Sequence, residues 1–222
     1  MTTQAQSNMQ AALQDGIQAL GLALDAEQQN KLLRYIELLA QWNKVYNLTA
    51  VRDPAEMLTH HVLDSLAVIS PLLRHTEGQG AHVLDVGSGG GLPGVVIAIC
   101  CPELQVTCVD AVAKKIAFIQ QAASSLGLNN LKAQHARIEK IRAAHAIIIS
   151  RAFASLPDFT AWSASALAPD GVWLAMKGKQ PLDEMAALPA SVKVFHVEPL
   201  QVPGLDAERC LIWMKKSVER KM

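Results

Sequence analysis

From about Met9 to Leu22, and again from Asp25 to Trp42, apolar positions recur at helical spacing, with Leu32, Tyr35, Ile36, Leu39 and Trp42 forming one stripe. Asp25 and Gln28 are spaced as a capping box at the start of the second segment. A third helix is announced by Asp53 as N-cap, Pro54 at the first helical position and Glu56 as the returning acid, and it runs into His60, His61, Asp64 and Ser65. Roughly the first 75 residues are therefore expected to be helical. After His82 the pattern alternates. Short apolar runs suited to strands are Val83 to Val86, Gln105 to Val109, Leu131 to His135, Ala146 to Ser150 and Val172 to Met176. Helical stretches fall between them at Pro93 to Cys101, Val112 to Leu126, Ile138 to Ala144 and Leu156 to Leu167. That rhythm predicts an α/β fold, a mainly parallel sheet covered by helices on both faces. Ser191 to Pro199 and Arg209 to Lys215 read as two more strands joined by a loop containing Pro-Gly, hence a carboxy-terminal antiparallel hairpin. The expected organisation is a helical extension over residues 1–75 packed on a core over 76–222.

Within this alternation, HVLDVGSGGGLPG, His82 to Gly94, is distinctive. A strand that feeds a glycine turn and then a helix is a nucleotide-cradling device, because glycines let the backbone approach a ligand closely. Asp85 places a carboxylate near the strand end, which suits a cationic or hydroxyl-rich ligand better than a bare phosphate.

Composition narrows the class. The chain has 222 residues, half of them hydrophobic and 18% charged, with a formal net charge of zero. A polycation held to nucleic acid by bulk charge is excluded. Residues 1 to 100 nevertheless carry 5 basic and 9 acidic side chains, and residues 101 to 222 carry 15 and 11, an asymmetry compatible with a basic face or with scattered lysine. Cys100, Cys101, Cys108 and Cys210 form no C-x-x-C pair; the first three sit among apolar residues and read as small buried thiols, and a reducing cytoplasm is expected. No secretory leader or run of about 18 apolar residues is present, so neither export nor a membrane span is expected. His60 and His61 lack an i, i+4 partner histidine or a nearby cysteine, and no metal is expected. Trp42 and Tyr46, in the segment WNKVYNLTAV, are expected to pack against the core rather than stack on a base.

Two carboxylates bracket the glycine loop. Asp110 ends the second strand, where an acid grips a ribose by its hydroxyls. Gly89, Gly91 and Gly94 also spell the G-x-G-x-x-G of a nicotinamide enzyme, but that triplet starts two residues too late after the strand, and Asp85 would repel a pyrophosphate. S-adenosylmethionine has no phosphate and carries an ammonium, a sulfonium and a ribose, so it suits Asp-x-Gly-x-Gly-x-Gly better.

Six further segments make a family resemblance: CVDA at Cys108 to Ala111, RIE at Arg137 to Glu139, SRAFASL at Ser150 to Leu156, MKG at Met176 to Gly178, QVPGLDAER at Gln201 to Arg209, and NLTAVRDPAEMLTHHVLDSL at Asn47 to Leu66. With the glycine run, the sequence resembles the bacterial 16S ribosomal RNA guanine-N7 methyltransferases of the glucose-inhibited division protein B type, over nearly the whole chain after residue 25. The resemblance implies a class I, Rossmann-like methyltransferase fold with S-adenosyl-L-methionine as cofactor. It implies a cofactor site of Asp85, Gly87, Gly89, Leu92, Asp110, Ile138, Glu139 and Arg151, with Gly87 and Leu92 on the methionine and ribose side. Asp110 would then hold the ribose, Ile138 and Glu139 would flank the adenine, and Arg151 would close the site. Lys114, Lys115, Arg137, Lys177, Lys179 and Arg209 are candidates for contact with RNA phosphates. The implied product is 7-methylguanosine at position 527 of 16S ribosomal RNA, made by a monomer acting on the RNA or on the small subunit.

The residues bear on the target atom. Exocyclic amine methylation goes with a D/N-P-P-Y/F loop after the fourth strand, where this chain has SRAFASLP, and pyrimidine carbon methylation needs a nucleophilic cysteine that none of the four supplies. Guanine N7 has a free lone pair at neutral pH and needs no general base, so rate would come from positioning and exclusion of water. An arginine gripping O6 and N7 together would cover the attacking lone pair, so recognition is expected at the Watson–Crick edge or through RNA shape. A methyltransferase for another base or a small molecule, a nicotinamide oxidoreductase and a non-catalytic RNA-binding assembly factor stay open at this level.

Overall fold

The computed structural model describes residues 3–217. Five helical segments precede the sheet: α1 (Thr3–Ala19), α2 (Ala26–Tyr46), α3 (Pro54–Met57), α4 (Asp64–Leu66) and α5 (Ile69–Thr76), with a π-helical turn at Leu58–Leu63 joining α3 to α4. Asp25 caps α2 as expected: its carboxylate accepts from the Gln28 amide at 2.8 Å, and Gln28 Oε1 accepts from the Asp25 amide at 3.0 Å. The same Gln28 side chain donates to the carbonyls of Ile99 and Cys100, both at 3.1 Å, so one residue starts α2 and ties it to the core. Asp53 caps α3 through the Ala55 amide at 2.9 Å, with Pro54 following it.

The strands are β1 (His82–Val86), β2 (Gln105–Asp110), β3 (Leu131–His135), β4 (His145–Arg151), β5 (Leu167–Lys177), β6 (Val192–Leu200) and β7 (Arg209–Lys216). They form one seven-stranded sheet in the order β3-β2-β1-β4-β5-β7-β6. The first five pair in parallel, while β7 runs antiparallel to both β5 and β6, which is the expected terminal hairpin. Helices α6 (Gly94–Cys100), α7 (Ala113–Leu126) and α8 (Leu156–Ser163) supply the crossovers, and α9 (Leu182–Ala186) follows β5. The strand order reverses between β1 and β4, the place where open α/β sheets receive ligands.

Successive side chains on a strand face opposite ways, so Val83 and Leu84 enter different apolar layers. The layer holding Val83 is continuous with the amino-terminal helices: Leu32, Tyr35, Ile36 and Leu39 are fully buried in it beside residues of α6 and α7. Trp42 packs edge-on to Phe118 of α7, with ring centroids 5.6 Å apart, which bears out its reading as a packing residue.

Two expectations need correction. Ile138 to Ala144 is not a helix but a single 3-10 turn at Ile138–Lys140 followed by extended chain. The link from β3 to β4 crosses β2 and β1, about 14 Å at a strand spacing near 4.8 Å, and must return the length of a strand; seven helical residues span only about 10 Å. The helix expected to reach Leu167 is α-helical to Ser163, whose hydroxyl turns inward to accept from Trp173 Nε1 at 2.9 Å, and goes on as a 3-10 turn over Ala164–Ala166 before β5 begins at Leu167.

Candidate active site

The glycine loop leaves β1 with three left-handed residues, Gly87, Gly89 and Gly91 (φ 66°, 58° and 87°), a conformation that costs residues with a Cβ. Gly87 is constrained twice, since a Cβ there would overlap the ring of Phe153. At Gly94 a Cβ would stand 2.7 Å from Asp85 Oδ2 and collide with Cys108 Sγ. Asp85 is wholly buried beneath this loop and lines neither of the clefts described below. Its Oδ2 accepts from the Gly94 amide at 2.8 Å and lies 3.9 Å from Cys108 Sγ, whereas Oδ1 has no hydrogen-bond partner. Burial pushes this carboxyl up to about 7, against the opposing pull of the Gly94 amide and of Arg151.

Two clefts open at the carboxyl ends of β1, β2 and β4. The first, about 530 Å³, is walled by Leu92 and the loop residues Gly87 to Gly90, by Arg151, Met176 and Lys177, and by the amino-terminal residues Thr49, His60, His61 and Asp64. The second, about 440 Å³, is lined by Asp110, Arg137, Ile138, Glu139, Phe153 and Trp162. Gly87, Lys115 and Ala152 belong to both. Asp110 fixes the loop between them: Oδ2 accepts from the Gly89 amide at 3.0 Å and Oδ1 from the Val112 amide at 2.8 Å, with Lys115 Nζ 3.6 Å away. Phe153 and Trp162 meet edge to face, 5.9 Å between centroids. Ala152 takes a positive φ of 51°, rare for a residue with a side chain, where the chain passes between the clefts.

The floor of the first cleft joins three distant segments. Asp64 is buried, with Oδ2 accepting from Arg151 Nη1 at 2.8 Å and Oδ1 from Arg209 Nε at 2.9 Å. Arg151 Nη1 also donates to the His60 carbonyl at 2.9 Å, and Nη2 stands 3.4 Å from His61 Nδ1. The other ring nitrogen of His61 bonds Thr49 Oγ1 at 2.7 Å. Burial and the Arg151 charge push His61 down to about 4, so the ring is neutral at pH 7. Since Arg151 can only donate, the neutral ring accepts at Nδ1 and donates from Nε2 to Thr49.

The structure sorts the expected residues. Gly87, Gly89, Leu92 and Arg151 meet in the first cleft, and Asp110, Ile138 and Glu139 in the second. Three expected phosphate contacts are otherwise engaged: Arg209 holds the buried Asp64, Lys115 stands by Asp110, and Lys177 Nζ donates to Glu184 at 2.9 Å and to the Ala154 carbonyl at 2.9 Å. Lys114 and Arg137 are exposed and carry no ion pair within 4.0 Å among the described residues, and Lys179 is exposed as well. Sequence reasoning missed the joint role of Thr49, His61 and Asp64. Its signal was the i, i+3 spacing of His61 and Asp64.

Residues 28–212 match the family model described as GidB, rRNA small subunit methyltransferase G. The chain belongs to that family. Among curated members of the rRNA small subunit methyltransferase G family, one from Acidovorax ebreus (strain TPSY) is 61% identical over 97% of this chain and 99% of its own length. One from Polaromonas sp. (strain JS666 / ATCC BAA-500) is 64% identical over 91% of this chain and 92% of its own. Solved structures share the fold: TrmN from Thermus thermophilus superimposes with TM-score 0.56 at 19% identity, covering 72% of this chain and 53% of that one. The 1,6-didemethyltoxoflavin-N1-methyltransferase of Burkholderia thailandensis, solved with S-adenosylhomocysteine, gives 0.56 at 14% identity over 88% and 92%. Family members use S-adenosylmethionine, and the site fits it: a buried, unpartnered carboxylate oxygen on Asp85 suits a cation, and the glycine loop borders two clefts, the second holding the Asp110 and Glu139 carboxylates and an aromatic wall. No helix among the described residues is long and apolar enough to cross a membrane.

Proposed function

We propose that the protein methylates N7 of a guanine in small-subunit ribosomal RNA, position 527 of 16S ribosomal RNA by family resemblance, with the cofactor spread over both clefts. The second cleft takes the adenosine: Asp110 faces the ribose, Ile138 and Glu139 flank the adenine, and Phe153 and Trp162 supply an apolar wall. Gly87, Gly89 and Leu92 take the methionine end, and the Asp85 carboxylate, buried beneath the loop, acts on its ammonium through its charge rather than by contact. Arg151 closes this end from the last residue of β4. When bound, S-adenosylmethionine supplies an electrophilic methyl on a sulfonium. The chain's own residues hold the two reactants in line and exclude water, which is the whole task for a nucleophile whose lone pair is already free.

One observation carries the N7 reading: the buried groups on the floor that could accept a proton are already occupied. Both oxygens of Asp64 are bonded to arginines, and both nitrogens of His61 are engaged. An exocyclic amine would need its proton received; N7 does not. Arg137, at the rim of the second cleft, and the exposed Lys114 and Lys179 are the RNA phosphate contacts this arrangement leaves.

The test is transfer of labelled methyl to small subunits and to naked 16S ribosomal RNA from a strain lacking the modification, with the product base mapped. Label at guanine N7 is expected. Label on an exocyclic amine, or none despite tight cofactor binding, would overturn the reading, the latter in favour of an assembly factor.

A further inference from the structure

The Thr49 hydroxyl has no freedom of role. Its Oγ1 receives the His61 Nε2 hydrogen at 2.7 Å and the Val51 amide hydrogen at 3.2 Å, so both lone pairs are spent. The chain around it is held in turn, since Asn43 Oδ1 accepts from the Thr49 amide at 2.9 Å and Asn43 Nδ2 donates to the Val51 carbonyl at 2.9 Å. What remains is one O–H hydrogen on a partly exposed side chain that lines the first cleft. Arg151 sets this polarity from two residues away, because it fixes the histidine tautomer. Asp64, the one carboxylate among the residues lining this cleft, has both oxygens occupied by arginines.

We propose that Thr49 is a specificity residue whose hydroxyl, made donor-only by His61 and Val51, donates to O6 of the target guanine. Guanine presents an acceptor at that position where adenine presents an amine, so a fixed donor accepts one purine and opposes the other. A single bond to O6 also leaves the N7 lone pair uncovered, which a bidentate arginine contact would not. His61 and Arg151 act here as positioning residues: they decide which way Thr49 points its hydrogen, at no contact with the base. This inference rests on the guanine-N7 reading above.

The experiment crosses enzyme with substrate. Small subunits are reconstituted with 16S ribosomal RNA carrying either guanine or 2-aminopurine at the target; the latter lacks O6 but keeps N7 and the exocyclic amine. Wild type, Thr49→Ser, Thr49→Val and Thr49→Ala are compared in kcat/KM, with S-adenosylmethionine affinity measured separately by calorimetry and folding checked by thermal midpoint. Loss of one directed hydrogen bond is expected to lower kcat/KM of Thr49→Val on guanine about tenfold or more, with cofactor affinity unchanged and Thr49→Ser restored to near wild type. On 2-aminopurine the valine variant and wild type should be equal, since the contact is already gone. Thr49→Ala repeats the comparison if the valine variant does not fold. Full, additive losses from variant and analogue would overturn the proposal, as would a fall in cofactor affinity, which would assign the hydroxyl to the methionine carboxylate. Failure of the underlying reading shows separately, as wild-type label away from guanine N7.

Discussion

The Tyr35 hydroxyl donates to the carbonyl of Gly90 at 2.5 Å, in the buried interface between α2 and the glycine loop. A side chain of the amino-terminal helices thus holds the backbone of the glycine loop. Tyr35→Phe keeps the ring and strands a buried acceptor, so a loss of about 1–3 kcal/mol is expected in urea unfolding. Calorimetry should show weaker S-adenosylmethionine binding at the same time. Stability lost with affinity intact would separate the two functions of this contact.

Asp85 makes stability and binding depend on pH in a defined direction. Its folded-state carboxyl is raised from 3.8 to about 7 by burial. Between about pH 4 and pH 7 the folded protein therefore keeps a proton that the unfolded chain releases, and stability falls as pH rises through that window, levelling above it. In Asp85→Asn this part of the slope should vanish from unfolding curves recorded across the window. A cofactor ammonium favours the ionised carboxylate, so binding below about pH 7 should expel a proton. Calorimetry in buffers of different ionisation enthalpy reads that proton directly; buffer-independent heat would remove Asp85 from the ammonium site.

Asp64 balances two guanidinium groups in a buried setting. Asp64→Asn leaves both cations without a counter-charge, and a loss of about 3 kcal/mol follows from breaking such a pair from one side. Activity should fall further than stability requires, because Arg151 is then no longer held against His61. Single-turnover rates measured well below the melting temperature of the variant distinguish the two effects.

The lysines divide by their partners. Lys114→Ala should raise KM for the small subunit, leave single-turnover methyl transfer at saturation unchanged, and reduce the slope of log K against log salt by about 1. Lys177→Met should behave differently, with an unchanged salt slope and a less stable loop after β4, because its ammonium serves Glu184 and the Ala154 carbonyl. Identical salt slopes for the two variants would contradict this division.

Most of the fold was legible where periodicity and capping agreed. Asp25 with Gln28 marked the start of α2, the strands fell where short apolar runs stood, and the change after Ser191 announced the antiparallel end. The β3 to β4 link failed because Ile138, Glu139 and Lys140 have helical composition, while the crossing needs reach, which depends on strand order rather than on neighbours in sequence. At the site, Asp110 could be found from its spacing to the glycines. Lys177 and Arg209 could not be separated from free surface cations, since their partners lie 7 and 145 positions away and only the folded chain brings them together. The same holds for Thr49, an ordinary turn residue until His61 and Arg151 are seen beside it.

The fork on Asp64 gathers residues separated by 87 and 145 positions, and Arg209 opens the antiparallel strand β7. During synthesis the glycine loop, Asp64 and Arg151 all emerge well before that strand. Asp64 thus gains its second cation only when β7 has left the exit tunnel and paired with β5. A nascent chain that displays the glycine loop still lacks a finished first cleft, so an enzyme whose substrate is ribosomal RNA is born beside ribosomes in an incomplete form.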